Sequence, residues 1–201
     1  EHRSQTLKNV SWTVRSGEFC LLEGVTGSGK TTLIRLLHPT LAPYGRRSGS
    51  VRVFGHDVED ARDSASSDIG YVAQNPASQI VCDTVWHELA FGLENRNVSQ
   101  DQMRRRVAEV AHYFGIESWF DDSTAQLSGG QMQILNLAST LCTHPRLLLL
   151  DEPTAQLDPV SAANFVHAVF RVNRDMGTTV IVATHAPEIF RDYATCEVHL
   201  D

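Results

Sequence analysis

A glycine-rich segment ending in lysine and threonine has the residue types that hold a phosphate chain. Residues 24–31 (GVTGSGKT) fit the pattern G-x-x-x-x-G-K-[ST] at every fixed position. Glycines let the backbone fold into a nest of inward-pointing N–H groups, and the helix that follows adds the positive end of its dipole. Lys30 supplies a charge for the β- and γ-phosphates, and Thr31 supplies a hydroxyl for Mg²⁺. The predicted phosphate-binding residues are Gly24, Thr26, Gly27, Ser28, Gly29, Lys30, Thr31 and Thr32.

A pair of carboxylates follows a fully apolar run. Leu147–Leu150 is typical of a buried strand in a parallel sheet, and Asp151 and Glu152 come directly after it. Open α/β sheets bind ligands at the carboxyl ends of such strands. Alone, the pair could equally be solvated turn residues. Beside a phosphate loop, it predicts that Asp151 holds Mg²⁺ through water and that Glu152 polarises the attacking water, a role worth about 10²–10⁴ in rate.

A third segment has the composition of an anion site. Residues 127–131 (LSGGQ) open a predicted helix that begins with a serine and two glycines. Such a helix start can cap itself and can also bind an anion. The candidate residues are Ser128, Gly129, Gly130 and Gln131. One chain would then carry two separate phosphate sites.

Strands alternating with helices must position these segments, which predicts an α/β fold on a mostly parallel sheet. The predicted strands are Glu18–Glu23, Val51–Phe54, Ile69–Ala73, Leu147–Leu150, Thr179–Ala183 and Glu197–Leu200. The predicted helices are Lys30–His38, Thr84–Glu94, Gln100–Tyr113, Ser128–Cys142 and Asp158–Met176. Between about residues 78 and 126 the pattern is helical with little β signal, which indicates a helical insertion.

Composition excludes several classes of protein. The 201 residues carry a net charge of −7 and 42% apolar residues, which is ordinary globular usage and not that of a disordered chain. No apolar run approaches the roughly 18 residues that span a bilayer, and no signal segment follows Glu1. The acidic balance disfavours nucleic-acid binding. The four cysteines are far apart and form no CxxC pair, so we expect reduced thiols in a cytosolic protein.

The order of these motifs resembles the ATP-binding-cassette (ABC) ATPases over essentially the whole chain. LSGGQ stands before LLLLDEP, and GVTGSGKT lies about 120 residues before the DEP. The resemblance implies a P-loop NTPase (RecA-like) core at residues 1–77 and 127–201. It also implies a helical subdomain at 78–126 and a small N-terminal antiparallel β part.

The same resemblance implies further site residues and a second cassette. Gln74 would sense Mg²⁺ and the water, His185 would contact the γ-phosphate, and Asp158 would lie in the D-loop as well as cap a helix. Each ATP would be held between the Lys30 loop of one chain and Ser128–Gln131 of another. The pair would be a homodimer or two related chains, and this arrangement would explain why one chain carries two anion sites.

Two shorter pieces resemble the energy-coupling-factor importers, whose ATPases include those of cobalt, nickel and vitamin uptake. Residues 74–79 read QNPASQ and residues 90–95 read AFGLEN. This implies a transmembrane coupling subunit docked near residues 74–95, a peripheral location on the cytoplasmic face of the membrane, and no direct contact with the cargo. An ATPase of another transporter branch and a non-transport, ATP-dependent dimerisation module stay open as alternatives.

Three places depart from the family pattern. In this family a basic residue usually follows the LSGGQ segment, which we call the signature. Residues 132–134 (MQI) lack that basic residue, and we expect its absence to alter the surface of the helix. Gln156 stands where Gly or Ser is more usual. Trp12 is the only aromatic residue before Phe19, and its surroundings suit a packed strand residue. We therefore expect the aromatic platform for adenine to lie before Glu1.

Overall fold

Strands and helices alternate along residues 7–59 and 68–200, the part of the chain that the computed structural model describes. The strands are β1 (Phe19–Gly24), β2 (Arg52–Val53), β3 (His56–Asp57), β4 (Ile69–Val72), β5 (Leu147–Asp151), β6 (Thr179–Thr184) and β7 (Cys196–Leu200). The helices are α1 (Lys30–Leu36), α2 (Val85–Glu94), α3 (Gln100–Phe114), α4 (Gly129–Cys142) and α5 (Pro159–Met176). Among the described residues, no helix combines the length and apolarity needed to cross a bilayer.

The main sheet is parallel throughout, with the strand order β4-β5-β6-β1-β7. Because parallel strands end at one edge, the loop after β1, the turn after β5 and the segment after β6 meet there. A separate antiparallel hairpin pairs β2 with β3. The predicted fold class, a mostly parallel sheet with helices and a small antiparallel part, is confirmed.

Alternation along the strands divides the core between the two faces of the sheet. On one face, Phe19 and Leu21 of β1 pack with α4 and α5. On the other face, Cys20 and Leu22 pack with α1 and the hairpin. A third apolar cluster joins α2, α3 and α4. The division of the chain at residues 78 and 126 into core and helical subdomain stays a prediction.

Trp12 packs against the core but does not lie in a strand. Its ring is half-buried beside the cluster of α1 and β1. Residues 10–14 pair with no strand among the described residues, so the strand expected there is wrong. A strand requires a hydrogen-bonding neighbour, and an alternating pattern alone does not supply one. The packing that the sequence predicted for this tryptophan is present without the strand.

Candidate functional site

The loop between β1 and α1 wraps around the ammonium group of Lys30. Its Nζ donates hydrogen bonds to the carbonyl oxygens of Gly24 (2.6 Å) and Val25 (3.1 Å). Gly27 and Gly29 have φ angles of 88° and 96°, a conformation that a larger residue rarely adopts. The loop therefore places a buried cation at the carboxyl edge of the sheet, where it suits an anionic ligand.

Two features of this loop fit a bound phosphate chain. The Ser28 hydroxyl is buried and has no hydrogen-bond partner among the described residues. A Cβ at Gly24 would lie 2.5 Å from the Leu200 carbonyl oxygen and 2.6 Å from the Ser28 Oγ, so only glycine fits. Two other predicted phosphate-binding residues lie nearby: Thr26, on the loop, is exposed, and Thr32, in the first turn of α1, is half-buried.

Two hydroxyl groups converge on the buried carboxylate of Asp151. The Thr31 Oγ1 donates to Oδ1 and the Tyr71 hydroxyl donates to Oδ2, both at 2.8 Å. Hydroxyl and carboxylate oxygens are the ligands that Mg²⁺ prefers. Thr31 and Asp151 are thus brought together as an oxygen set that fits this ion.

Glu152 combines an unusual backbone conformation with a side chain held at both oxygens. Its φ angle is 48°, and its N–H donates to the Ala183 carbonyl oxygen at 2.8 Å. Oε1 lies 3.6 Å from the Lys30 Nζ. Oε2 accepts the backbone N–H of His185 at 3.1 Å and lies 2.7 Å from its Nδ1. Strained residues of this kind concentrate at functional sites, and this one contacts two further predicted site residues, Lys30 and His185.

The signature residues lie at the start of α4 and serve that helix in this chain. Ser128 and Gln131 cap it reciprocally: the Ser128 Oγ accepts the Gln131 N–H (3.3 Å), and the Gln131 Oε1 accepts the Ser128 N–H (2.9 Å). Gly129 has open space where a Cβ would stand. A Cβ at Gly130 would lie 2.6 Å from the Ser161 Oγ, so this glycine allows α4 to approach α5.

The structure does not bring the signature residues to the phosphate loop. Within residues 7–59 and 68–200, no hydrogen bond or ion pair joins Ser128–Gln131 to residues 24–32. Ser128 and Gly129 are exposed. The two predicted anion sites are thus separate in one chain.

Gln74 and Asp158 also lie outside the cluster around Glu152. The Gln74 side chain is exposed and forms no hydrogen bond with the described residues. The Asp158 Oδ1 accepts the N–H groups of Val160 and Ser161, both at 3.0 Å, and so caps α5 as predicted. Hydrogen bonds from Ser161, first its side chain and then its backbone, hold the pKa of the Asp158 carboxyl below its ordinary value. The D-loop role of Asp158 stays a prediction.

Gln79 closes the end of β4, a role that its type alone does not indicate. Its Oε1 accepts the Ala73 N–H at 2.9 Å, and its Nε2 donates to the Tyr71 carbonyl oxygen at 2.7 Å. The amide thus satisfies the backbone groups on either side of Val72, as a neighbouring strand would. It fixes the start of the loop that carries Gln74.

Two fully buried amides tie α4 to neighbouring loops. The Gln133 Nε2 donates to the Pro153 carbonyl oxygen at 2.6 Å, and the Asn136 Nδ2 donates to the Pro76 carbonyl oxygen at 2.9 Å. The expectation that residues 132–134 alter the surface of the helix is therefore wrong for Gln133, which lies in the interior. The signal that could have revealed both residues is their position on the apolar stripe of α4.

Comparison with known proteins identifies the family of this chain. Residues 7–155 match the family model described as ABC transporter. The chain belongs to the ABC transporter family. An ABC transporter ATP-binding protein of Bacillus cereus is 42% identical over 92% of this chain and 34% of that protein. The energy-coupling factor transporter ATP-binding protein EcfA1 of Symbiobacterium thermophilum is 41% identical over 89% of this chain and 62% of that protein.

Solved structures of ABC cassettes share the fold. CbiO1 from Clostridium perfringens, part of the ABC transporter complex cbiONQ, superimposes with a TM-score of 0.89 at 29% identity, over 98% of this chain and 78% of that one. The dimeric cassette MJ0796 bound to ADP and Pi gives 0.82 at 26% identity, over 98% and 86%. The resemblance stated from the sequence is confirmed, and the chain is a cassette of the ABC transporter family. It spans about a third of the length of the three Bacillus relatives that it matches.

Proposed function

We propose that this ABC cassette binds and hydrolyses ATP to power import of the energy-coupling-factor type, with a metal ion or a vitamin as cargo. The similarity to EcfA1 over most of the chain carries the proposal. The QNPASQ and AFGLEN segments support the same branch. The cargo would be bound by a separate membrane subunit, so its identity is not encoded in the cassette.

The residues at the carboxyl edge of the sheet would divide the work of hydrolysis. Lys30 and the loop from Gly24 to Gly29 hold the triphosphate, since a buried ammonium and inward N–H groups favour anions. Thr31 and Asp151 hold Mg²⁺, with Gln74 as a further polar contact. Bound Mg²⁺ would neutralise charge on the phosphate oxygens.

Glu152 would be the general base, and His185 would orient the γ-phosphate. The carboxylate of Glu152 is 12% exposed and stands between Lys30 and His185, so one of its oxygens can take a proton from water at a defined place. The His185 side chain is half exposed and reaches the same edge of the sheet. Glu152 and His185 directly follow the neighbouring strands β5 and β6, and this placement supports both roles.

We assign the signature residues to the ATP of a second cassette, in a homodimer or in a pair of related chains. Ser128, Gly129, Gly130, Gln131 and the D-loop residue Asp158 would complete that site. Two observations support this assignment: Ser128 and Gly129 are exposed, and no hydrogen bond or ion pair among the described residues joins them to the phosphate loop. The dimeric MJ0796 structures support a paired arrangement. A rate per chain that rises with protein concentration would test it.

A transmembrane coupling subunit would dock near residues 74–95 and hold the cassette at the cytoplasmic face of the membrane. Two apolar side chains on this segment are exposed, Val81 at 62% and Phe91 at 41%. Exposed apolar side chains on this segment favour contact with another protein. Asn136 and Gln79 tie the same segment to α4 and β4, so docking would act directly on two elements that flank the ATP site.

Reconstitution tests the proposed transport. The whole protein is placed in liposomes with the coupling subunit and the small substrate-binding membrane subunit expected to be encoded beside its gene. Uptake of Co²⁺, Ni²⁺ and vitamins is then measured with and without ATP. ATP-dependent accumulation of one of these solutes supports the proposal. Export, or no accumulation while ATP hydrolysis continues, contradicts it.

A single substitution tests the docking surface separately. Phe91→Ser should prevent co-purification with the coupling subunit and leave ATP hydrolysis by the free cassette unchanged. Tyr44→Ser is the matched control, since Tyr44 is a fully exposed aromatic residue outside residues 74–95. Equal co-purification of Phe91→Ser and the wild-type protein would exclude this surface.

A further inference from the structure

Tyr71 lies beside Asp151, although none of the recognised motifs includes it. β4 and β5 pair with Tyr71 opposite Leu149, and Asp151 follows two residues later on β5. Residues two apart on a strand share a face, so the side chains of Tyr71 and Asp151 lie on the same side of the sheet. The tyrosine hydroxyl donates to Oδ2 of the carboxylate at 2.8 Å.

Arg35, in the last turn of α1, determines the direction in which the tyrosine hydroxyl points. Its Nε donates to the Tyr71 hydroxyl oxygen at 3.3 Å. Because a guanidinium group cannot accept a hydrogen bond, the tyrosine proton is left for Asp151. A tyrosine hydroxyl keeps its proton at neutral pH, because the ordinary pKa of this group is about 10.

Both oxygens of the Asp151 carboxylate are therefore held by hydroxyl donors. Thr31 holds Oδ1 from α1, and Tyr71 holds Oδ2 from β4. Asp151 is only 3% exposed, so water cannot readily replace a lost donor. Without the tyrosine hydroxyl, Oδ2 would lose its partner and the carboxylate could turn away from Thr31.

We propose that Tyr71 is a positioning residue of the magnesium site. Its hydroxyl holds the Asp151 carboxylate in one orientation, so that Asp151 and Thr31 are already arranged when the metal binds. This inference rests on the proposed function, which assigns Mg²⁺ to these two residues. It adds a contribution from β4 that the phosphate loop and the DEP segment do not contain.

Nucleotide binding with and without metal tests the proposal. A fluorescent ATP analogue is titrated into Tyr71→Phe and wild-type protein, once in Mg²⁺ and once in EDTA. We expect the affinity in Mg²⁺ to fall about tenfold, the effect of losing one hydrogen bond to a charged group. The affinity in EDTA should not change, because no hydrogen bond joins Tyr71 to Lys30 or to the described phosphate loop. Mn²⁺ binding to the ATP-loaded protein, followed by electron paramagnetic resonance, should weaken in parallel.

A matched control and a second variant separate positioning from folding. Tyr113→Phe removes a tyrosine hydroxyl that also donates to a carboxylate, that of Asp175 at 3.0 Å, and should leave both affinities unchanged. Arg35→Met keeps the tyrosine but removes the donor that directs it. It should reduce the advantage of Mg²⁺ over EDTA in the same direction and by less.

Three results would overturn the proposal in different ways. If the ratio of the affinity in Mg²⁺ to the affinity in EDTA is the same in Tyr71→Phe and wild-type protein, Tyr71 has no positioning role, and the proposed ATPase site is left intact. If Tyr71→Phe loses affinity for the analogue equally in Mg²⁺ and in EDTA, the tyrosine has only a structural role. If wild-type protein binds the analogue equally well in Mg²⁺ and in EDTA, the magnesium site itself is wrong and the inference falls with it.

Discussion

The carboxylate of Glu152 and the imidazole of His185 are in direct contact, with Oε2 2.7 Å from Nδ1. The same oxygen accepts the backbone N–H of His185 at 3.1 Å. These residues follow β5 and β6, which are neighbours in the sheet. A predicted base and a predicted phosphate contact are therefore held together by the backbone of two adjacent strands.

Glu152→Gln should retain ATP binding and lose most turnover. The amide keeps the size of the side chain but cannot take a proton from water, so phosphate release should fall by about 10²–10⁴. Phosphate release and nucleotide affinity are measured on the same preparation. Glu109→Gln, which changes an exposed carboxylate on α3, should alter neither. Undiminished turnover in Glu152→Gln would remove Glu152 from the role of base.

Gly130→Ala should destabilise the protein, whereas Gly129→Ala should not. At Gly130 the new Cβ would meet the Ser161 Oγ at 2.6 Å and Cβ at 2.8 Å, so the free energy of unfolding should fall by about 1–3 kcal/mol. At Gly129 there is open space, and alanine should be neutral or stabilising by up to ~1 kcal/mol through helix propensity. Urea denaturation measures both.

The double variant Gly130→Ala/Ser161→Gly provides the control for this pair. It removes the side chain that the new Cβ would meet, so part of the lost stability should return. If Gly129→Ala and Gly130→Ala unfold at the same urea concentration, close packing of α4 on α5 does not explain Gly130. Reduced ATP-dependent dimerisation in Gly129→Ala, without loss of stability, would match its proposed contact with a second cassette.

The Asp158 cap should weaken in acid. Its pKa in the folded protein lies below the ordinary value of 3.8, so the charged cap contributes fully above that value and is lost as the pH falls through the folded-state pKa. Asp158→Ala should therefore lower the melting temperature at neutral pH, and the difference from wild type should shrink below about pH 4. The asparagine of Asp158→Asn can cap the helix but does not titrate, so the difference in melting temperature between Asp158→Asn and Asp158→Ala should not shrink in acid. A difference between Asp158→Ala and wild type that stays constant with pH would contradict the assignment.

Arg191 should matter for stability mainly because Glu23 is buried. The guanidinium Nη2 lies 3.3 Å and 3.2 Å from the two carboxylate oxygens of Glu23, which is 7% exposed in β1. Removing one partner of such a pair leaves an uncompensated buried charge, whereas removing both charges is often tolerated. Arg191→Ala should therefore lower the melting temperature more than Glu23→Gln/Arg191→Ala does. Equal melting temperatures for the two variants would contradict this explanation.

Much of the fold and of the candidate site could be predicted from the sequence, because the relevant patterns are local. The GVTGSGKT segment folds around Lys30 through contiguous residues whose glycines permit the required backbone. The run of leucines before Asp151 predicts a buried strand, and the residue that ends such a strand lies at the ligand-binding edge. Helical spacing predicts α3 and α5 within one residue of their observed ends.

The sequence by itself determined which residues carry the charges, the hydroxyls and the turns. Only the tertiary structure decided which of them meet. Tyr71 and Asp151 are 80 positions apart, and they touch because β4 and β5 are neighbours in one particular register. Gln133 reaches Pro153 only because α4 packs beside the end of β5. Periodicity reports which face of an element is buried, but strand order, register and helix packing depend on contacts between distant segments, which no local pattern contains.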